Sequence, residues 1–364
     1  MSDMSPLVSI IVLNYNGKDF LLECLSSVTK TDYPNFEVLV VDNGSTDGSI
    51  AVAKRQFKNF NFIEIGKNLG YAAGNNVGIK HAKGDYIVLL NNDTIVYDSW
   101  LTNLVKWSEK LGDVILQPKI MLMSDHSLLN TVGNRIHILG FGLLTGTGEV
   151  DLGQYDKVHE IGYASGTCLF ASKKIFDKVG LLDNAHFLQS EDLDWGWRAK
   201  IMGIRSYFIP DSKIYHWWSR SIKWSPAKFY WLERNRLFTL LKNYERRTLI
   251  IMLPLILFTE AATLIFALMK GFFRSKLKSY VELFMLRKHI RRCRAEISKK
   301  RTLPDVYIMH NFELKLEHIY LPKATSILDH IVRIYCKLLF NQIYSLHAPS
   351  QRVYSRSDVY VQEG

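Results

Sequence analysis

The chain has 364 residues, 48% hydrophobic and 22% charged, which excludes a disordered protein and points to one large domain with an appendage, or to two domains. Four scattered cysteines without a C-x-x-C pair exclude a disulfide scaffold and a zinc ribbon and make a reducing compartment the expectation. The formal charge of +11 is not spread evenly: up to Glu245 basic and acidic residues number 26 each, whereas Arg246–Gly364 carries 20 basic against 9 acidic. The sequence therefore divides into a neutral body and a basic tail.

In chain order, the apolar run Leu7 to Leu13 lacks a basic leader and a small-residue cleavage site, so it reads as a buried strand rather than a signal peptide. Apolar residues at helical spacing follow over Phe20 to Val28, then a strand Phe36 to Val41, a turn at Asp42-Asn43-Gly44-Ser45 and a helical stretch to Phe57. A strand Asn61 to Ile65, a glycine-rich helical segment Gly70 to Ala82 and a strand Tyr86 to Leu90 complete the alternation. This grammar predicts an α/β fold with a mostly parallel sheet flanked by helices, and ligands then bind beyond the carboxyl ends of its strands. Beyond Val114 the pattern loosens through Gly133 to Gly153, recovering over Tyr163 to Phe176 and in a helix from about Asp192 to Met202.

Polar clusters stand at three predicted strand ends: Asn14-Tyr15-Asn16, Asp42 to Ser49, and Asn91-Asn92-Asp93. Asp42 suits a base or ribose, but a strand-to-helix turn capped by Ser45 or Asp47 explains the segment equally well. Asp93 with its neighbouring amides suits a hard divalent cation, and a turn former is the bland alternative. Gly70, Gly74 and Gly78 recur every four residues, which fits neither the Rossmann G-x-G-x-x-G nor a P-loop. The carboxylates Glu191, Asp192 and Asp194 fall in the first turn of a predicted helix, where the helix dipole and an Asp194–Arg198 pair would account for them.

The segments VSIIVLNYNG (8–17), VVDNGSTDGS (40–49), NLGYAAGNNVG (68–78) and GDYIVLLNNDT (84–94) resemble glycosyltransferase family 2, as do Ser165-Gly166-Thr167, SEDLDWGWR (190–198), His216 and the stretch Phe229 to Leu237. The order is the family's over about 240 residues, and the rhamnosyltransferase-like branch is the most similar. The resemblance implies the GT-A fold over residues 1–245 and an inverting transfer from a nucleotide sugar carrying UDP, dTDP or GDP. It places Asn14, Tyr15, Asn16, Asp42, Asn43, Ser45, Gly70, Asn75, Asn91 and Asn92 on the nucleotide, and Asp192 as general base. Glu191, Asp194 and Trp195 would orient or bind the acceptor. Asp93 and His216 would hold Mg2+ or Mn2+. Asn91 departs from the family pattern, standing where the first carboxylate of a D-x-D motif is usual. The implied acceptor is lipid-linked or glycan; a polyprenyl-phosphate acceptor, or a non-catalytic nucleotide-sugar-binding protein, is the alternative.

Trp217, Trp218, Trp224 and Trp231, with His216, Arg220, Arg234 and Arg236, precede the tail; rings can stack on sugar faces and arginines can grip a carrier-lipid phosphate, but the individual tryptophans read as core packing with an interfacial aromatic belt. Thr248 to Phe273 is long and apolar enough to span a membrane, but Glu260 lies near its middle and basic residues flank both ends. A re-entrant hairpin or in-plane helices are therefore expected over one crossing, with the basic segment to Arg301 as an amphipathic helix at an anionic membrane surface on the cytoplasmic face. No nucleic-acid module accompanies the basic run, so nucleic acid is not an expected partner. Residues 302–364 form an extension whose last fifteen or so residues are expected to be disordered.

Overall fold

A computed structural model describes residues 5–217, 225–316 and 330–335. Trp218, Arg220, Trp224 and most of the C-terminal extension, including the end expected to be disordered, lie outside the described residues. The strands are β1 (Val8–Asn14), β2 (Phe36–Asp42), β3 (Asn61–Glu64), β4 (Tyr86–Asn91), β5 (Thr94–Val96), β6 (Ile115–Leu122), β7 (Leu129–Thr131), β8 (Asn134–Ile136), β9 (Gly142–Leu144), β10 (His159–Ile161), β11 (Cys168–Ser172) and β12 (Ser206–His216). The helices are α1 (Leu21–Val28), α2 (Ser49–Gln56), α3 (Gly70–His81), α4 (Trp100–Leu111), α5 (Lys173–Val179), α6 (Glu191–Ile201), α7 (Pro226–Asn243), α8 (Arg246–Met269), α9 (Phe273–Met285), α10 (Arg287–Lys300) and α11 (Asp305–Met309).

The main sheet runs β10-β12-β6-β11-β4-β1-β2-β3, with β5 on β12 and β7 on β6. The expected parallel alternation holds for β3, β2, β1 and β4. The other half is mixed: β11 is antiparallel to both β4 and β6, while β12 runs parallel to β6 and antiparallel to β10 and β5. Sequence periodicity missed β6 and β12 because each is interrupted. Pro118 and Lys119 sit inside β6, and Pro210 and Asp211 inside β12, where the register shifts between Ile209 and Lys213. Buried Lys119 is satisfied by Asp151 at 3.0 Å. The stretch read as loops between Gly133 and Gly153 contains the β8–β9 hairpin.

Apolar clusters cover both faces of the sheet. The four-residue glycine spacing in α3 is a packing device: a Cβ on Gly74 would stand 2.6 Å from Leu13 Cδ1, and one on Gly78 2.5 Å from Ile11 Cγ2, so these glycines let α3 lie close on β1.

A third cluster joins body and tail, with Leu193, Trp197 and Phe238 packed among Met252, Leu283, Ile290 and Ile308. The charge boundary at Glu245 is therefore not a break in the core. The apolar stretch is also one continuous helix, α8, with Pro254 inside it, and not the re-entrant hairpin allowed by the sequence. It is long and apolar enough to cross a membrane, and only 17% of its apolar window is buried. Glu260 is held from two sides: Arg236 of α7 pairs with it, and from α9 Lys276 lies at 2.8 Å and Tyr280 donates a hydrogen bond at 2.7 Å.

Candidate active site

The parallel registers bring the three polar clusters to one edge. Asn14 lies opposite Asp42, Asp42 opposite Glu64, and Leu13 opposite Asn91. The loops beyond these ends brace one another. Asn14 Nδ2 donates to Ser45 Oγ and Ser49 Oγ at 3.0 Å, and Asn14 Oδ1 accepts from Asn92 Nδ2 at 2.8 Å. Asn16, in a left-handed conformation at φ 51°, accepts from the Thr46 amide at 2.9 Å, while Asp42 accepts from the Ser45 amide at 3.2 Å. The turn reading is thus realised: these side chains build the loops whose outer residues line an open space.

That space is a cavity of about 520 Å3 lined by Tyr15, Asn43, Gly70, Asn91, Asn92, Asp93, Glu191, Asp192 and His216, among others. Asn14, Asn16, Asp42 and Ser45 frame it without lining it. Asn75 does not reach it: the side chain is buried in α3 and donates to the Tyr71 carbonyl at 3.0 Å.

On one wall, Asp93 Oδ1 is buried and accepts no hydrogen bond. His216 Nδ1 lies 2.8 Å from the side-chain amide of Asn130, which orients the ring. His216 Nε2 then lies 3.4 Å from Asp93 Oδ1. A ring nitrogen and a carboxylate oxygen turned towards one another at the cavity wall are a donor set that fits a divalent cation.

A second donor trio, Asp183, His289 and Cys293, does not fit one. Lys242 already sits 2.7 Å from Asp183, and Arg292 donates to His289 Nδ1, which leaves the proton on Nε2 to bond Asp183 at 2.9 Å.

The opposite wall is the start of α6. Asp192 accepts from the Gly166 amide at 2.9 Å and the Leu193 amide at 2.7 Å. Burial pushes its carboxyl above the ordinary range against those bonds, and burial together with the Asp192 charge pushes Glu191 further up. Glu191 therefore keeps a proton more readily, and Asp192 is the first of the pair to ionise. Asp194 and Trp195 depart from the expectation of an acceptor role. Asp194 is fully buried, bonded to Arg198 at 3.0 Å and Lys242 at 2.8 Å; burial raises its pKa, but these charges more than offset that and hold it low. Trp195 is buried against Phe176 and donates to the Gly180 carbonyl at 2.7 Å. For both, the bland structural reading prevails.

The segment entering α6 is conformationally costly, since Phe187, Gln189 and Ser190 all have φ between 59° and 72°. It is held from α7. Asn235 Nδ2 donates to the carbonyls of His186, Leu188 and Gln189 at 3.1, 2.8 and 2.6 Å, and Arg234 donates to that of His186 at 2.9 Å. Gly70 meets this segment so closely that a Cβ would fall 2.4 Å from the Phe187 carbonyl oxygen. Among the cavity residues to which sequence reasoning gave no role are Tyr71, whose hydroxyl donates to the Gly166 carbonyl at 2.5 Å, Gln189, and Lys228, whose pKa is lowered by burial. No motif marked Gln189 or Lys228; tertiary packing alone delivers them.

Residues 9–180 match the model of the family described as Glycosyl transferase family 2. They are a family 2 glycosyltransferase domain. This chain is 36% identical over 117 residues to "Glycosyltransferase GlyG" of Streptococcus pneumoniae serotype 4, a match covering 31% of this chain and 39% of that relative. It is 24% identical over 249 residues to the N-acetylglucosaminyl-diphospho-decaprenol L-rhamnosyltransferase of Mycobacterium tuberculosis, covering 62% of this chain and 80% of the relative. The fold resembles that of GalNAc-T7, solved with UDP, GalNAc and Mn2+, with a TM-score of 0.56 at 14% identity over 67% of this chain and 49% of that one. The chain thus spans well under two thirds of the pneumococcal relative and of this structure.

Proposed function

We propose that this glycosyltransferase domain moves a sugar from a nucleotide-sugar donor to a hydroxyl of a lipid-linked or glycan acceptor, with inversion at the anomeric carbon. One observation carries the reading: Asp93 Oδ1 and His216 Nε2, 3.4 Å apart, share one cavity with the backbone-oriented carboxylate of Asp192. Asp93 Oδ1 and His216 Nε2 would hold Mg2+ or Mn2+, which when bound neutralises charge on the nucleoside diphosphate leaving group. Asn91 adds a neutral ligand face where a second carboxylate is usual in the family. Tyr15, Asn43 and Asn92 line the donor side. Asp192 takes the proton from the acceptor hydroxyl as its oxygen attacks the anomeric carbon, and its burial makes it a stronger base than an exposed carboxylate. Glu191, retaining its proton, sits beside it without adding a second charge. An intact, raised carboxylate pair favours a hydroxyl acceptor over a phosphate that needs no base. The test is Asp192→Asn in the purified chain with metal and a panel of UDP-, dTDP- and GDP-sugars. Transfer is expected to fall at least 100-fold with nucleotide affinity unchanged; a variant keeping most of its rate would remove Asp192 from the role.

The enzyme is further proposed to lie on the cytoplasmic face of a membrane with α8 in plane. Two features support this. Ile250, Leu253, Leu257 and Leu268 form an exposed apolar stripe along α8. Glu260 at its middle is tied to Arg236 and Lys276, so a crossing would draw those charges and their helices into hydrocarbon. Alkaline carbonate is expected to release the chain from membranes, and retention in the pellet would favour a span.

A further inference from the structure

A second cavity, of about 550 Å3, opens where the C-terminal end of α7, the start of α8 and α10 meet. Lys242, Arg246, Arg291, Arg294 and Arg301 line it, against one acid, Glu245. Lys242 is neutralised by Asp183 and Asp194, and Arg301 by Asp305 at 2.8 Å. Among the described residues, Arg246, Arg291 and Arg294 have no carboxylate within ion-pair distance. Arg294 donates to the Tyr244 carbonyl at 2.8 Å, and its pKa is lowered by burial and by the nearby Arg246 charge, which outweigh the more distant Asp305.

The same three arginines, joined by Arg287, line an adjoining shallow apolar groove with Leu249, Ile250, Leu283, Phe284 and Ile290. Arg246 lies on the helical face that continues through Ile250, Leu253 and Leu257.

We infer that this cavity binds the phosphate of an anionic phospholipid, with the lipid's acyl chain in the adjoining groove. The shape fits because guanidinium forks match phosphate oxygens and the groove begins where the charges end. It is not the site of the reacting diphosphate. Lys228 lines the catalytic cavity and Lys242 this one, fourteen residues apart on α7, which is about 21 Å along the helix axis. A lipid held here would fix the angle at which α8 lies on the bilayer, so the inference rests on the in-plane membrane reading above and adds a discrete headgroup site to it.

The test uses the full chain and vesicles of phosphatidylcholine with or without phosphatidic acid. Arg246→Gln/Arg291→Gln removes two exposed charges from the cavity, and Lys288→Gln/Lys299→Gln removes two exposed charges of α10 that do not line it. The cavity pair is expected to weaken binding to anionic vesicles by about 25-fold, five-fold per charge, and the control pair by less than 5-fold. Without vesicles, dihexanoyl phosphatidic acid is expected to bind the wild-type chain at one per chain and at least ten-fold tighter than inorganic phosphate, and dihexanoyl phosphatidylcholine not measurably. Equal losses from the two pairs would overturn the headgroup site while leaving the membrane reading standing, because binding would then follow total charge. Inorganic phosphate binding as tightly as the short-chain lipid would overturn the acyl groove. Absence of vesicle binding by the wild type would sink the membrane reading itself. Transfer to a soluble acceptor is expected to be unchanged in both double variants.

Discussion

Asn235 offers the sharpest test of how this site is assembled, because it never lines the cavity yet controls the segment that delivers Glu191 and Asp192. Its fully buried amide holds three carbonyls of residues 186–189, and its Oδ1 accepts from Arg234 Nε at 2.8 Å. At about 1 kcal/mol net per hydrogen bond, its two N–H groups, shared among the three carbonyls, contribute roughly 2 kcal/mol, and the Arg234 bond to the His186 carbonyl roughly 1 kcal/mol more. The left-handed conformations of Phe187, Gln189 and Ser190 cost roughly 1 kcal/mol each, or about 3 kcal/mol together. The clamp and the strain are of equal size, so Asn235→Ala tips the segment towards relaxed conformations, although Arg234 and Gly70 still hold one end. A loss of about 1.4 to 2.7 kcal/mol of productive positioning lowers kcat 10- to 100-fold. The affinity for nucleoside diphosphate, measured by calorimetry, stays within two-fold because Tyr15, Asn43 and Asn92 sit on other loops. Asn235→Asp keeps the volume but turns a carboxylate towards the carbonyls, so it is expected to be at least as slow as the alanine variant. An aspartate variant with wild-type kcat would show that Asn235 only fills space, and an alanine variant with wild-type kcat would refute the clamp.

Three more outcomes follow from the buried charges. Glu191 has a raised folded pKa, so its stabilising contribution is present below the ordinary carboxylate value and is lost as pH rises through the folded one; Glu191→Gln should therefore gain Tm over wild type on going from pH 5 to pH 8, and a constant difference would contradict this. Because burial also raises Asp192, the acid limb of log kcat/KM against pH should fall above the ordinary 3.8, and a rate that stays flat down to pH 4 would remove that carboxylate as the base. Lys242→Met strips one partner from buried Asp194 and from partly buried Asp183, and should cost about 3 kcal/mol in urea unfolding; a loss under 1 kcal/mol would mean Arg198 and His289 suffice.

Much of the site was legible because the first half of the chain obeys local rules. Strand, polar turn and helix recur over short distances, so the ends of β1, β2 and β4 had to meet, and with them Asn14, Asp42 and Asp93. The second half was less legible for physical reasons. β6 and β12 hide a proline and a charge in their middles, and Lys119 can be interior only because Asp151 and Asp156, more than thirty residues away, reach it. The carboxylates of α6 show the limit most clearly. Asp192 and Asp194 are two residues apart with the same chemistry, and helix periodicity turns them to different faces, one to the cavity and one to Arg198 and Lys242. Spacing separates them, but only the tertiary partners say which one faces solvent.

The tail carries the same lesson into the membrane question. Glu260 looked anomalous in an apolar run because sequence supplies only its neighbours in the chain. In the fold it belongs to a buried cluster with Glu233, Arg236, Lys276 and Tyr280, two acids against two bases, which joins α7, α8 and α9. The charge is thus internally balanced, and the cost of carrying it into hydrocarbon is replaced by the cost of separating three helices. α7 also supplies Asn235 to the catalytic segment and Lys228 to the cavity. One helix therefore lines the candidate active-site cavity near its first turn, holds the segment before Glu191 and Asp192 at its middle and reaches the arginine-lined cavity at its end. On the proposed membrane reading, an acceptor held at a bilayer would meet Asp192 from a direction set by α8, and the tail would take part in presenting it.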